Sequence, residues 1–440
     1  MTIKTVHLTN YYHSNSGGVS TSLNNLLKAA EKKKRPISLI VPGEKDSVIS
    51  FNEYAKIYYV RAIRSPFFDR SYRLIMPWKY TFKNSSVRRI LLEEKPDLIE
   101  VTDKYTLIFL GLMIRKGFFS SLGRPILVHF SAERMDDNVA VFLTKKEVGK
   151  KFSRNYVANI LLPFFDFHIA NSEYTASELF EAEAEASKWL LKKTERIFST
   201  PKIPLKERVF ICPRGVDLSL FSITRKSEEK KRQILKQYDL PTERKLLFYA
   251  GRLSPEKNLD LLLKTLKALT EKNFTLLVAG SGPKRKWLEE EAKKFADKSL
   301  ILVGHLDKER LADFYANVDV FIHPNPHEPF GNTVLEAMAS GCPVVAPNSG
   351  GVLTYSNQDN AWLVEPTPQA FSNVIEKIFQ NGELRTSKIK KALETAKENS
   401  SENAVNRLLS TYEKIYETFI KNRNAFEVAK LFLMCFHFLV

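Results

Sequence analysis

The chain has 440 residues and a mass of 50.5 kDa, which is more than one compact core usually holds and predicts two domains of about 200 residues each. With 44% hydrophobic and 27% charged residues, its composition excludes a disordered polymer, a collagen-like repeat and a disulfide scaffold. Cys212, Cys342 and Cys435 lie far apart without a CxxC spacing, so we expect neither a zinc site nor a disulfide framework. A reducing compartment is the simplest interpretation.

The charge balance is strongly basic. Lys and Arg total 67 against 50 Asp and Glu, a net charge of +17, which favours an anionic partner such as nucleic acid, a membrane face or a phosphorylated ligand. The basic-aromatic stretch, Arg61–Ile90, holds eight bases, one acid and several interleaved aromatic rings. Two interpretations stay open: a surface that meets anionic lipid headgroups, or a solvated basic face whose rings belong to the core.

Neither end of the chain predicts a membrane-spanning segment. Met1–Leu8 reads as a strand that starts at once, so we expect no secretory signal peptide. Val428–Val440 is apolar but shorter than the ~20 residues of a transmembrane helix, and either docks on a domain or makes a weak membrane contact. The expected location is therefore cytoplasmic, with peripheral association at the inner membrane face as a hypothesis.

Short apolar runs alternate with amphipathic ones along most of the chain. In the first half they predict a helix over Ser20–Glu31 and strands over Thr5–Leu8, Ile37–Val41, Leu98–Val101, Ile126–Phe130, Phe167–Ala170 and Val209–Cys212. In the second half they predict strands over Leu246–Ala250, Thr275–Ala279, Leu300–Val303, Val318–His323 and Val344–Ala346. This alternation predicts an α/β fold with parallel sheets and right-handed crossovers.

A polar segment separates the two halves. Thr224–Lys245 is dense in Lys and Glu, and it follows the turn Pro213–Asp217. We therefore predict domains at 1–220 and 221–415, with a helix and apolar tail over 416–440 that returns to the first domain. Two open α/β domains of this kind would present the C-terminal ends of their strands to a shared central cleft.

Three glycine turns follow predicted strands. Gly17 and Gly18 precede the first helix, where glycine lets the backbone approach a ligand and the helix N-terminus favours negative charge. The turn is neither GxGxxG nor a Walker loop, so by itself it is weak evidence. In the second half, Arg252 and Lys257 flank the next turn and could clamp a diphosphate, or form a solvated basic pair. Gly280–Gly282 brings a third turn toward the same edge.

The most informative segment follows the strand near Val320. Glu328 lies on the loop, Gly331, Asn332 and Thr333 begin a helix, and Glu336 lies about one turn into it. Such an arrangement offers one carboxylate to sugar hydroxyls, free N–H groups to phosphate oxygens and a second carboxylate to ribose hydroxyls. No second histidine follows at the spacing of an HExxH metal motif, so no metal site is predicted here.

The stretch Glu328–Ala346, followed by Gly350 and Gly351, resembles the E-x7-E signature of retaining GT-B glycosyltransferases of family 4. Supporting matches occur in the family's order from residue 1 to about 420: Gly17–Val19, Ala170–Leu179, Pro213–Asp217, Ala250–Arg252 with Lys257, Gly280–Gly282 and Gly304–Leu306. The resemblance implies the GT-B fold, with the acceptor bound mainly by the N-terminal domain and a UDP- or GDP-sugar mainly by the C-terminal one.

The resemblance also implies individual roles. Arg252 and Lys257 would hold the diphosphate, Glu336 the ribose, and Glu328 the donor sugar, while His129 matches a histidine that lines the sugar site. The residues implied in catalysis are Glu328, His129, Lys257 and Arg252. The residues implied in donor binding are Gly17, Gly18, Arg252, Lys257, Gly280, Gly282, Phe330, Gly331, Asn332, Thr333 and Glu336. The charged segment Glu133–Asp137 suggests acceptor contacts, although a plain surface loop explains it equally well.

The expected activity is hexose transfer to a glycan or lipid-linked acceptor, with retention of configuration and without a bound metal or cofactor. Two alternatives stay open. An epimerase acting on a nucleotide sugar could use the same scaffold, and product analysis without an acceptor would distinguish it. A nucleic-acid-binding protein is suggested only by the charge of +17, since no recognisable binding module is present. We therefore expect a nucleotide sugar, an acceptor and an anionic membrane as partners, and no nucleic acid.

Overall fold

The structure is a computed structural model and describes residues 2–12, 17–65, 72–142, 146–186, 201–270 and 273–426. The chain forms two compact units. Unit 1 comprises Met1–Cys212 and the chain from Val405 on, and unit 2 comprises Pro213–Ala404. The chain passes from unit 1 to unit 2 after residue 212 and returns to unit 1 after residue 404. Both positions lie before the domain boundaries predicted from the sequence, at residues 220 and 415.

Unit 1 is built on an eight-stranded sheet in the order β10-β9-β8-β7-β1-β2-β4-β3. Its strands and a small hairpin, β5–β6, are β1 (Thr5–Thr9), β2 (Ile37–Gly43), β3 (Ser47–Asn52), β4 (Ala55–Arg61), β5 (Ile63–Arg64), β6 (Arg73–Leu74), β7 (Leu98–Thr102), β8 (Ile126–Ser131), β9 (Phe167–Ala170) and β10 (Val209–Ile211). Within the large sheet only β3 and β4 are antiparallel. Alternate residues of the central strands enter two apolar clusters, so both faces of the sheet are covered.

Helices supply the covering layers of unit 1. They are α1 (Gly18–Lys32), α2 (Trp78–Thr81), α3 (Ser86–Glu94), α4 (Ile108–Arg115), α5 (Met135–Phe142), α6 (Lys146–Tyr156), α7 (Leu162–Phe164), α8 (Glu173–Glu185) and α9 (Leu205–Arg208), with a 3-10 turn at Ser120–Leu122 and a π-helical turn at Val157–Leu161. All six strands and the helix predicted for this half are confirmed within two residues.

The prediction missed the hairpin formed by β3 and β4 at the edge of this sheet. β3 is exposed along nearly its whole length, with Val48 57% and Ile49 50% exposed, so it lacks the alternation that marks a half-buried strand. β4 pairs with β2 in parallel and carries buried residues on both faces, Ala55 and Ile57 on one and Tyr58 and Val60 on the other. It ends at Arg61, where the basic-aromatic stretch begins.

The aromatic rings of the basic-aromatic stretch differ in burial: some belong to the core, and others are exposed as a lipid-facing surface would require. Tyr80 is fully buried and its hydroxyl donates to the carbonyl oxygen of Thr106 at 2.5 Å, so this ring belongs to the core. Trp78 and Phe82 are 47% and 59% exposed. Phe67 and Phe68 lie outside the described residues, as does the apolar tail Val428–Val440.

The last long helix completes the core of unit 1. It is α17 (Ser401–Lys421), followed by α18 (Arg423–Phe426), and its buried side chains include Leu409, Tyr412 and Ile415. The Tyr412 hydroxyl donates to Glu100 Oε2 at 2.7 Å, and His7 Nδ1 lies 3.1 Å from Glu100 Oε1. The predicted return of the C-terminal helix to the first domain thus has a buried polar contact as well as an apolar one.

Unit 2 contains a six-stranded sheet, parallel throughout, in the order β13-β12-β11-β14-β15-β16. Its strands are β11 (Lys245–Ala250), β12 (Phe274–Ala279), β13 (Leu300–Gly304), β14 (Val320–Ile322), β15 (Val344–Pro347) and β16 (Trp362–Val364). Its helices are α10 (Glu228–Gln237), α11 (Leu259–Ala268), α12 (Arg285–Ala292), α13 (Lys308–Asn317), α14 (Asn332–Ala339), α15 (Pro368–Gln380) and α16 (Gly382–Glu398), with 3-10 turns at Ile223–Arg225, Pro255–Lys257 and Gly351–Thr354. The five strands predicted here are confirmed within two residues, and only the three-residue β16 was missed.

Unit 2 begins and ends at one place. The Val216 N–H donates to the carbonyl oxygen of Asn399 at 2.9 Å, and the Ser401 N–H donates to that of Val216 at 2.8 Å. Gly215 makes this approach possible, because a Cβ there would lie 2.4 Å from the Ser400 carbonyl oxygen. The two chain ends of unit 2 are therefore joined side by side by backbone hydrogen bonds.

Candidate active site

The C-terminal ends of the unit 2 strands carry most of the predicted site residues. After β11 the chain passes through Gly251 into the 3-10 turn Pro255–Lys257, and Asn258 follows in the left-handed conformation with φ 50°. The Asn258 side chain donates to the carbonyl oxygen of Pro324, at 3.1 Å, on the loop after β14. This bond ties the turn that carries Lys257 to the loop that carries Glu328.

Lys257 and Glu328 form an ion pair. The distance from Lys257 Nζ to Glu328 Oε2 is 2.8 Å, and the Asn325 amide donates to the same oxygen at 3.2 Å. Both side chains are largely removed from solvent. Residues 71 positions apart in the sequence thus meet at one edge of the sheet, as predicted parallel strands require.

The pair sets the protonation of its members. Burial raises the pKa of Glu328, but the charges of Lys257 and His323 and the hydrogen bonds from Lys257 and Asn325 outweigh it and lower the pKa to about 2. Burial lowers the pKa of Lys257, yet the Glu328 carboxylate raises it overall. Burial lowers the pKa of His323 to about 4, despite the nearby Glu328. At neutral pH the site therefore holds an ammonium, a carboxylate and a neutral imidazole.

The helix that follows Glu328 presents an uncapped N-terminus. Gly331 adopts φ 84° and ψ 54°, and no side chain caps the first amides of α14. Unpaired N–H groups at a helix start, with the helix dipole behind them, attract anions. Asn332 and Thr333 supply the first two of these groups, while the Phe330 side chain is buried, leaving only its backbone for a ligand.

Tyr355 and Gly351 hold this turn in place. The Tyr355 hydroxyl donates to the carbonyl oxygen of Gly331 at 2.6 Å, and its ring lies 5.1 Å from that of Phe330. The Gly351 N–H donates to the carbonyl oxygen of Glu328, also at 2.6 Å. Sequence reasoning missed the contribution of Tyr355. The Gly350–Gly351 pair was the only available signal, because it marks a place where two backbones come close.

Glu336 lies on α14 and is half-buried. Burial raises the pKa of Glu336 to about 7, although the Tyr315 hydroxyl and the charge of Lys308 act in the opposite direction. Its carboxyl group therefore changes charge near neutral pH, unlike that of Glu328. Tyr315 is fully buried beneath it and belongs to the aromatic core of unit 2.

The glycines of the third turn have a structural reason for being glycines. A Cβ at Gly280 would lie 1.9 Å from the carbonyl oxygen of Gly251, and one at Gly282 would lie 2.4 Å from that of Leu253. Both residues have positive φ, 139° and 154°. The turn is also hydrogen-bonded to its neighbours, with the Leu253 N–H donating to Ser281 at 2.9 Å. Their predicted role in donor binding stays a prediction.

Arg252 lies between these two turns and is exposed. Its backbone carbonyl accepts a hydrogen bond of 3.1 Å from the Tyr249 hydroxyl. Its charge is close enough to lower the pKa of Lys257, although less than burial does. The two cations that the sequence singled out therefore act on one another in unit 2.

The remaining predicted residues lie in unit 1. Gly17 and Gly18 stand at the start of α1. His129 lies on β8 with no exposed surface, between the rings of Phe165 at 5.5 Å and His168 at 5.7 Å. Neither ring nitrogen of His129 has a hydrogen-bond partner among the described residues, and burial lowers its pKa well below the usual value.

The charged segment Glu133–Asp137 is mostly engaged within unit 1. Arg134 pairs with Asp136 at 2.7 Å and with Glu181 at 2.7 Å. Tyr174 donates to Asp137. Glu133 is half-buried and accepts a hydrogen bond of 3.2 Å from the Tyr11 hydroxyl. An internal ion-pair network thus accounts for most of this charge.

No group of three or more His, Cys, Asp or Glu side chains within the described ranges is arranged to hold a metal ion. None of the helices in these ranges combines the length and the apolar character that a membrane crossing requires.

Two family models match the chain. "Glycosyltransferase Family 4" matches residues 16–188 in unit 1, and "Glycosyl transferases group 1" matches residues 230–395 in unit 2. A GDP-mannose-dependent alpha-(1-6)-phosphatidylinositol dimannoside mannosyltransferase of Mycobacterium tuberculosis is 26% identical over 384 residues, which cover 87% of this chain and 89% of that protein. A GDP-mannose-dependent alpha-mannosyltransferase of Corynebacterium glutamicum is 25% identical over 353 residues, covering 78% and 72%.

Solved structures show the same fold. Sucrose-phosphate synthase from Thermosynechococcus elongatus superposes with a TM-score of 0.68 at 18% identity, covering 94% of this chain and all of that one. Anabaena HepE in complex with UDP-glucose gives a TM-score of 0.66 at 16% identity, covering 93% and 99%. Two Rossmann-like units with mainly parallel sheets, following one another in the chain as in these enzymes, define the GT-B class of glycosyltransferases.

The chain belongs to glycosyltransferase family 4, with both of the family's domain models matched in order. It is an enzyme that transfers a sugar from a nucleotide-sugar donor.

Proposed function

We propose that the enzyme transfers a hexose, with retention of configuration and without a bound metal, from a nucleoside diphosphate sugar to a glycan or lipid-linked acceptor. The observation that carries this proposal is the Lys257–Glu328 pair beside the uncapped N-terminus of α14. Lys257 and Arg252 would bind the diphosphate together with the amides of Asn332 and Thr333. Glu328, which the pair keeps ionised, would accept hydrogen bonds from hydroxyls of the donor sugar.

The chemical step needs charge stabilisation more than proton transfer from the protein. The bond between the anomeric carbon and the diphosphate oxygen breaks, and the acceptor oxygen bonds to that carbon on the face that the diphosphate leaves. The acceptor proton passes to a phosphate oxygen, so the products are the glycoside and the nucleoside diphosphate. Lys257, Arg252 and the dipole of α14 would stabilise the negative charge that develops on the leaving group.

Two further roles belong to this proposal. His129 would line the sugar site, and the support for this is that both nitrogens of its neutral ring lack partners among the described residues. Gly17, Gly18, Gly280 and Gly282 would bring backbone close to the donor.

GDP-mannose is the donor we propose first, because two relatives that match most of this chain are named for it. We expect GDP-mannose to raise the melting temperature of the protein, since a ligand that binds only the folded state stabilises it. A thermal-shift screen with GDP-mannose, UDP-glucose and ADP-glucose measures this directly. A larger shift with UDP-glucose would correct the donor, and no shift with any nucleotide sugar would contradict the proposed function.

Donor affinity should depend on pH through Glu336. The carboxylate form accepts hydrogen bonds from ribose hydroxyls, and with a pKa of about 7 this form increases as the pH rises through neutrality. We expect the Kd for the donor to fall from about pH 6 to about pH 8 in the native enzyme. In Glu336→Gln the Kd should be higher at the upper pH and nearly constant across the range, as measured by calorimetry.

The raised pKa of Glu336 also predicts how stability depends on pH: a rise in pH should strengthen donor binding but destabilise the folded protein. A carboxyl whose pKa rises on folding binds more protons in the folded state, so the free energy of unfolding falls as the pH rises from about 4.5 to about 7. At about pH 8 the free energy of unfolding of Glu336→Gln, measured by urea titration, should therefore exceed that of the native protein by about 1–3 kcal/mol. Glu383→Gln, at an exposed position on α16, is the matched control and should change neither property. Equal behaviour of the two variants would contradict the assignment of Glu336.

The acceptor and the place of action extend the proposal. The name of the Mycobacterium tuberculosis relative includes a phosphatidylinositol dimannoside, which is a glycolipid. An alpha-monoglucosyldiacylglycerol synthase of Streptococcus pneumoniae, also named for a glycolipid, is 25% identical over 342 residues. We propose a lipid-linked acceptor and peripheral association with the cytoplasmic face of a membrane. The exposed Trp78 and Phe82 and the net charge of +17 support this part of the proposal.

A further inference from the structure

Helix α6 (Lys146–Tyr156) turns its small residues inward and its large apolar residues outward. Gly149 and Ser153 are buried, and the Ser153 hydroxyl donates to the carbonyl oxygen of Gly149 at 3.0 Å. Val148 is 62% exposed and Phe152 is 61% exposed. These two residues are four positions apart and so share one helix face. A helix that serves only to cover a core has the reverse arrangement, with its large apolar residues buried.

The position of α6 in unit 1 is fixed by its C-terminal half. The Tyr156 hydroxyl donates to the carbonyl oxygen of Lys104, at 3.0 Å, in the loop directly after β7. Arg154 pairs with Glu181 at 3.0 Å and with Glu185, both on α8. One end of α6 is thus fastened at the C-terminal edge of the sheet, the edge at which open α/β sheets bind ligands. These contacts fix the orientation of α6, which keeps Val148 and Phe152 on its exposed side.

The charge on α6 is compatible with an anionic partner. The helix carries three lysines, Lys146, Lys150 and Lys151, against one acid, Glu147, which lies 4.0 Å from Lys150. Arg154 is paired with carboxylates of unit 1. Lys151 is exposed and lies one turn from Val148. The ring of Phe152 stacks with that of Tyr156 at 6.5 Å. Exposed aliphatic and aromatic residues with a lysine beside them, on a helix of net positive charge, are typical of helices that lie in the plane of an anionic membrane surface.

We propose that α6 is a membrane-docking helix, which inserts Val148 and Phe152 into the surface of an anionic bilayer and places the exposed Lys151 among the headgroups beside them. This inference rests on the proposed function for its lipid acceptor, and it adds which surface of unit 1 meets the lipid. A lipid-linked acceptor would then reach the C-terminal edge of the unit 1 sheet without leaving the membrane surface.

Flotation with vesicles tests the proposal. The full-length protein should float with vesicles of phosphatidylcholine and phosphatidylglycerol at low salt and much less with phosphatidylcholine alone. The double variant Val148→Ser with Phe152→Ser should lower the bound fraction roughly tenfold, because two apolar side chains lose their transfer from water. Lys151→Glu should weaken the preference for phosphatidylglycerol, because it reverses the charge beside the apolar pair. Native-like flotation of the double serine variant would overturn the proposal, as would the absence of native flotation on anionic vesicles.

Two control variants make the result specific. Leu384→Ser changes an exposed leucine of unit 2 and should float like the native protein. Phe82→Ser changes an exposed ring of the basic-aromatic stretch and should lower flotation less than the α6 variant does. Flotation that depends on Phe82 and not on α6 would overturn the inference in favour of that stretch. The melting temperature of each variant shows that it is folded.

Failure of this inference and failure of the proposed function give different results. Donor binding depends on unit 2 and is read by the thermal shift with nucleotide sugars. If donors bind and sugar is transferred but α6 variants float normally, the docking helix is wrong and the enzyme assignment stands. If flotation requires α6 but no nucleotide sugar shifts the melting temperature, the docking helix stands and the proposed function is wrong.

Discussion

Replacing Lys257 with alanine is expected to lower kcat for sugar transfer about 100- to 1,000-fold while the protein stays folded. The ammonium group is better shielded from solvent than the guanidinium group of Arg252 and is paired with Glu328 at 2.8 Å. In our proposal it stabilises the departing diphosphate. Alanine removes this charge where water cannot replace it fully. Steady-state kinetics with the donor found by thermal shift, together with circular dichroism, measure both parts of the expectation.

A second variant and a control complete this test. Glu328→Gln keeps the size of the side chain and removes its charge, so it should lose most transfer and also release Lys257 from its partner. Lys264→Ala changes an exposed lysine on α11 and should leave kcat unchanged. A folded Lys257→Ala enzyme with near-native turnover would refute the assignment of the ion pair to the reaction.

The other large effect is expected at Gly351. A Cβ there would lie 1.9 Å from the carbonyl oxygen of Pro329, 2.3 Å from its carbonyl carbon and 2.8 Å from the nitrogen of Phe330. All three atoms are backbone, so no side-chain rotation relieves the clash, and the loop itself must move. We expect Gly351→Ala to lower the free energy of unfolding by at least about 3 kcal/mol in urea titrations.

Movement of this loop should also affect the site, because the Gly351 N–H bonds to the carbonyl oxygen of Glu328. Donor binding should therefore weaken in whatever fraction of Gly351→Ala remains folded. Gly382→Ala is the matched control, since no atom lies within 4 Å of its added Cβ. Native stability in Gly351→Ala would show that the loop after Glu328 takes another path.

Sequence patterns were sufficient where one short segment decides the outcome. Continuous apolar runs located β1, β7, β8 and the five principal strands of unit 2, because strands buried on both faces leave that pattern. Parallel strands also placed the loops of Lys257 and Glu328 at one sheet edge. The pairing of these two side chains at 2.8 Å was not predicted, since it depends on the Asn258 side chain reaching the loop after β14.

The prediction fell short where distant segments cooperate. Tyr355 acts on Gly331 from 24 positions away, across a turn that no local propensity marks. The hairpin of β3 and β4 was missed because β3 is an exposed edge strand. The sequence also did not indicate which aromatic rings of the basic-aromatic stretch are buried. Tyr80 and Phe82 are two positions apart, yet the ring of Tyr80 is in the core and that of Phe82 is exposed.

The order in which the two units can fold is constrained by where the last long helix lies. Leu409, Tyr412 and Ile415 contribute to the unit 1 core, but the ribosome makes them only after all of Pro213–Ala404. Domains usually fold in the order in which they emerge. Here the middle of the polypeptide can finish folding while its N-terminal half still lacks a layer, so a nascent chain stopped before residue 405 should leave apolar surface of the first sheet open to chaperones.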